Sequence, residues 1–96
     1  MHILVTYDVS TETPAGRRRL QKVALQCKNF GQRVQKSVFE CAVDEMNYER
    51  LVRALTKIIH KEEDSLRFYR LMEPLEKYLL VFGWDKKVDF EGPLVV

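Results

Sequence analysis

The chain has 96 residues, 46% of them hydrophobic and 31% charged, with a formal net charge of +2. That composition describes one small globular domain and excludes a disordered or low-complexity chain. No apolar run reaches the roughly 18 residues needed to cross a bilayer and no signal peptide precedes the first strand, so no membrane is expected and the expected compartment is cytoplasmic.

Residues 2 to 9 read as a buried strand. Ile3-Leu4-Val5-Thr6-Tyr7 is apolar and β-rich, Asp8 places one carboxylate near its end, and the polar loop Ser10-Thr11-Glu12-Thr13 follows. Thr13 before Pro14 predicts a helix start, because a threonine hydroxyl caps free amides and a proline at the first position has no N–H to satisfy. Leu20, Val23, Ala24, Cys27 and Phe30 recur at helical spacing, and Gly31 supplies the stop. Residues 33 to 43 read as one long strand with a bulge or break near Gln35-Lys36, in which Ser37, Phe39, Cys41 and Val43 share a face. Asp44 then caps a second helix, whose apolar stripe is Tyr48, Leu51, Val52, Leu55 and Ile59. Glu49, Arg50, Arg53 and Lys57 face water. Two further strands are expected, Ser65 to Leu71 and Tyr78 to Phe82.

This order predicts an α+β, ferredoxin-like βαββαβ fold over residues 1–96, with an additional C-terminal strand and both helices on one face of an antiparallel sheet. The other face is left bare, and packing two sheets together in a homodimer would cover it. The last residues, 85–96, end in Gly92-Pro93-Leu94-Val95-Val96. They are expected to contact a partner subunit, with fraying of a chain end as the alternative. Cys27 and Cys41 lack zinc or redox spacing and read as buried free thiols.

Charge is segregated along the chain. From Arg17 through Phe39 there are seven Lys or Arg residues and no acid, whereas Glu40 through Asp64 carries seven acids and four bases. Arg17, Arg18, Arg19, Lys22, Lys28, Arg33 and Lys36 form a candidate phosphate-tracking surface, and the three arginines open a helix whose dipole does not favour them. Asp8 has two readings, a loop anchor or a ligand of a hard cation. A lone acid makes a poor Mg2+ site, so the second reading requires a twofold axis that brings two copies of Asp8 to one ion. Ser10 and Thr11 could orient water or phosphate beside it. His2 and His60 lack a ligand pattern, and Tyr7 is expected in the core or the dimer interface.

Taken together, the strand ending in Tyr7-Asp8, the arginines early in the first helix and the run Gly31-Gln32-Arg33-Val34-Gln35-Lys36-Ser37-Val38-Phe39-Glu40-Cys41 resemble the CRISPR-associated Cas-two family. The resemblance continues through Asp64-Ser65-Leu66-Arg67-Phe68-Tyr69-Arg70-Leu71 and covers nearly all of the chain. It implies a ferredoxin-like homodimer acting in CRISPR adaptation, which bridges the integrase subunit and holds incoming double-stranded DNA. It also implies a Mg2+-dependent endonuclease acting on DNA or single-stranded RNA, with Asp8 as catalytic metal ligand. Arg17, Arg19, Arg33 and Phe39 match positions tied to that activity. A non-catalytic DNA-binding adaptor is the alternative, and a small-molecule regulatory domain of the same architecture is a third reading.

Overall fold

The computed structural model describes residues 1–84. In chain order these form β1 (His2–Asp8), α1 (Pro14–Lys28), β2 (Gln32–Gln35), β3 (Val38–Ala42), α2 (Glu45–Ile58) and β4 (Ser65–Leu71), with a short 3-10 turn at Leu75–Lys77. The four strands make one sheet in the order β2-β3-β1-β4, each neighbouring pair antiparallel. This is the ferredoxin-like arrangement expected from the sequence.

Alternation along β1 sets the two faces of the sheet. Ile3, Val5, Tyr7 and Val9 are buried with Phe39 and Cys41 of β3, Val23 and Cys27 of α1, and Leu51 and Leu55 of α2. Because residues directly opposite in a ladder share a face, Leu4, Thr6 and Asp8 lie with Val38 and Glu40 of β3 and with Ser65, Arg67 and Tyr69 of β4 on the other side. Among the described residues no helix covers that side. The core therefore sits in a single layer between sheet and helices.

Both predicted caps are present. Thr13 has extended backbone and its hydroxyl accepts from the Gly16 amide at 3.0 Å, with Pro14 opening α1. Asp44 accepts from the Asn47 amide at 2.8 Å. The strand expected over residues 33 to 43 breaks rather than bulges, turning at Lys36-Ser37 into a β2–β3 hairpin with a register shift between Arg33 and Gln35.

Two expectations change. Helix α1 ends at Lys28, capped by Asn29, and Gly31 does not adopt the left-handed conformation of a helix-stop glycine. Its requirement is space, since a Cβ there would run into the Glu40 carbonyl oxygen and the Cys41 sulfur of β3. The segment Tyr78 to Phe82, expected as a strand, joins no sheet among the described residues and follows the Leu75–Lys77 turn after β4. Tyr78, Leu80, Val81, Phe82 and Trp84 are left exposed there. The expected extension at residues 85–96 lies outside the described residues. Among the described residues no helix is long and apolar enough to cross a membrane.

Candidate functional site

The open end of β1 gathers the polar residues singled out from the sequence. Asp8 is exposed there, opposite Ser65 at the start of β4. It lines a shallow cleft with Ser10, Thr11 and Glu12 from the β1–α1 loop and Glu62, Glu63 and Asp64 from the loop before β4. The loop is held tightly to the helix: a Cβ on Gly16, one turn into α1, would overlap the Ser10 carbonyl oxygen. Among the described residues no three His, Cys, Asp or Glu side chains are grouped as a metal site.

Asp64 organises this end of the molecule. Its carboxylate accepts from the Ser10 amide at 3.1 Å, from the His60 amide at 2.8 Å, and from Arg19 through Nε at 2.8 Å and Nη2 at 3.2 Å. The Arg19 guanidinium hydrogen-bonded to it, with the two backbone amides in support, holds the Asp64 carboxyl at about 2, below the usual carboxylate range. Arg19 also reaches Glu63 at 3.2 Å. Three segments, the β1–α1 loop, α1 and the α2–β4 loop, are thus tied together at one buried carboxylate. Nothing in one-dimensional spacing marks Asp64. A carboxylate just ahead of a predicted strand, with a surplus of arginines elsewhere, was the only available signal.

The basic residues divide by position. Arg17 folds over the β1–α1 loop and donates to the Thr11 carbonyl at 3.0 Å. Lys36 lies in the hairpin turn at the same end of the sheet, where its carbonyl faces the Tyr7 hydroxyl and the Ser37 carbonyl accepts from the Tyr7 amide. Arg18 and Lys22 are exposed on α1, and Lys28 stands at the far end of that helix. Arg33 is partly buried, with its guanidinium 5.1 Å from the centre of the Phe39 ring.

Phe39 is fully buried and stacked near Tyr7, on the helix side of the sheet and away from Asp8. It acts through packing, as the floor beneath Arg33. Burial raises the Tyr7 hydroxyl pKa, opposed by its hydrogen bond with Arg33. Cys27 and Cys41 are free and buried, their thiols pushed up to about 12 and about 11, so neither is a nucleophile near neutral pH.

Fold and site together define a small ferredoxin-like protein with an exposed acid at a strand end and basic residues around it. The family described as CRISPR associated protein Cas2 matches residues 1–77. The CRISPR-associated endoribonuclease Cas2 1 of Moorella thermoacetica is 57% identical over 96 residues, covering 100% of both chains. The CRISPR-associated endonuclease Cas2 of Halalkalibacterium halodurans is 46% identical over 95 residues, covering 99% of each. A crystal structure of Streptococcus pyogenes Cas2 at pH 6.5 superimposes with a TM-score of 0.77 at 49% identity, covering 86% of this chain and 100% of that one. The chain belongs to the Cas2 family.

Proposed function

We propose that this chain is a metal-dependent endonuclease of CRISPR adaptation that works as a homodimer, holds double-stranded DNA and bridges the integrase subunit during spacer acquisition. One observation carries the reading. Asp8 presents an exposed carboxylate at the end of β1, on the sheet face that no helix among the described residues covers, in a family whose relatives bear the names endonuclease and endoribonuclease. Packing two copies sheet to sheet covers that face and supplies a second Asp8.

The donor chemistry fits a hard cation. Mg2+ takes six oxygens and is commonly held by one or two carboxylates, with water and phosphate completing the shell. One Asp8 from each copy meets that requirement, and the Ser10 and Thr11 hydroxyls neighbour it in the cleft. When bound, the cation polarises the phosphodiester and lowers the pKa of its own water.

The chain's own residues do the rest. Arg17 and Lys36, at the Asp8 end of the sheet, draw in the phosphate backbone of DNA or single-stranded RNA and orient it. Arg19, already committed to Asp64 and Glu63, acts by positioning the Ser10 loop. Phe39 supports Arg33 from beneath.

The test is Asp8→Ala in the purified protein, assayed on duplex DNA and single-stranded RNA with Mg2+. Cleavage is expected to fall by about a hundredfold or more, since even outer-shell partners of a metal are worth 10–100-fold, with duplex binding retained. Undiminished cleavage would remove Asp8 from the role. Spacer integration by a wild-type protein that cleaves nothing would favour the adaptor.

A further inference from the structure

On the side of the sheet away from Asp8, α1 and α2 run antiparallel. α1 leaves the Asp8 end of β1, and α2 returns to that end to reach Ser65, the residue opposite Asp8. Tyr48 meets Phe68 of β4 edge-on, so that flank of α2 looks toward β4. At about 100° per residue, Arg50 and Lys57 lie roughly 160–180° around the helix from Tyr48, toward α1, with Arg53 about 40° from Lys57 on the outer surface. On α1, the Arg19 flank points to the segment leaving α2, because it pairs with Asp64. Lys22 and Arg18 stand beside that flank on the outer surface.

All five cations are exposed, and among the described residues none of their side chains forms an ion pair or hydrogen bond. Glu45 lies on the flank nearer β4, and Glu49, four residues before Arg53, lies about 40° from it around the helix. Arg18 with Lys22, and Arg53 with Lys57, are like charges four residues apart, each pair destabilising by a few tenths of a kcal/mol where a Glu would have stabilised. The α2 dipole offsets this for Lys57, near the C-terminus, whereas Arg18 sits in the unfavourable first turns of α1. All five side chains are exposed, so packing does not explain the arrangement.

We propose that the outer groove between α1 and α2 is a second nucleic-acid contact, in which Arg18 and Lys22 of α1 and Arg50, Arg53 and Lys57 of α2 hold the phosphates of one backbone strand. The proposal rests on the nucleic-acid reading above and extends it to the opposite face of the molecule. Packed helix axes stand about 8–10 Å apart, which sets the two cationic rows on either side of a single strand. Cations along α2 recur every ~4.5–6 Å of helix rise. Such contacts carry affinity and orientation but no sequence preference. Exposed Leu25 and Met46 lie toward the other end of the groove, where an acidic amphipathic peptide would gain most, so the test must separate the two occupants.

The test uses the full chain with Arg50, Arg53 and Lys57 all changed to Gln, and a fluorescent duplex titrated at several salt concentrations. The slope of log affinity against log salt is expected to shrink by about 2–3, near 0.9 per lost phosphate contact, with affinity falling tenfold or more. Should the triple variant unfold, Arg53→Gln alone is expected to reduce the slope by about 1. A wild-type slope and affinity in these variants would overturn the groove while leaving the nucleic-acid reading intact. Wild-type binding with no salt dependence would overturn both. Poly-glutamate binding that weakens in the triple variant while duplex binding keeps its wild-type affinity and slope would overturn the assignment to nucleic acid in favour of an acidic protein segment.

Discussion

At the scale of single residues, Asp64 ties three segments together through one carboxylate. Its side chain is wholly shielded from solvent and accepts from Arg19 and two backbone amides. The folded-state value of about 2 lies below the ordinary 3.8, so the stability it contributes is complete above about pH 4–5 and is lost as pH falls through about 2. Asp64→Asn is expected to cost about 1–2 kcal/mol at neutral pH, allowing for an Arg19 that keeps some contact with water. The gap from wild type should close below pH 3, as read from urea midpoints across pH. A gap that persists unchanged in acid would assign the effect to packing. The place of Asp8 at the end of β1, by contrast, was legible in the sequence, because an apolar run closes on that single carboxylate. The Arg19–Asp64 pair was not, since its partners are 45 positions apart and meet only through the fold.

At the scale of elements, the caps were legible because their chemistry is local: Thr13-Pro14 and Asp44 each announce a helix within a few residues. The β2–β3 hairpin was half legible. Gln35-Lys36 interrupts the apolar alternation, but without a glycine at the turn the sequence does not distinguish a bulge from a reversal. Gly31 is expected from the sequence as the helix stop, whereas the fold uses it for the close approach of the α1–β2 connection to β3. Gly31→Ala is therefore expected to destabilise by about 1–3 kcal/mol, the ordinary cost of overpacking, because the obstructing atoms include backbone that yields little. The check is the denaturation midpoint, and an unaltered one would show that the β3 backbone shifts freely.

At the scale of the whole molecule, the protomer leaves two surfaces unfinished. One is the sheet face bearing Leu4, Val38 and Tyr69, and the other is the ribbon containing Leu80, Phe82 and Trp84, of which the last two are 84% and 74% exposed. Large side chains such as Leu80, Phe82 and Trp84 clustered in one exposed segment mark a contact surface, and among the described residues β4 is an edge strand of the sheet. The ribbon's apolar character was legible, but its place was not, because a segment that joins no described strand reads in one dimension like any other strand. Sedimentation equilibrium is expected to return twice the protomer mass, and Leu80→Ser with Phe82→Ser to lower it. Protomers alone at every concentration would leave Asp8 without its mate.

The central claim is that cleavage needs an Asp8 from each of two copies. The most direct measurement mixes wild type and Asp8→Ala in varying proportions, lets subunits exchange to equilibrium, and follows Mg2+-dependent cleavage. A shared site in a symmetric dimer predicts about a quarter of the wild-type rate in an equal mixture, because only dimers with two intact copies are active. About half the rate, falling in proportion to the wild-type fraction, would mean that each protomer works alone and would contradict the account.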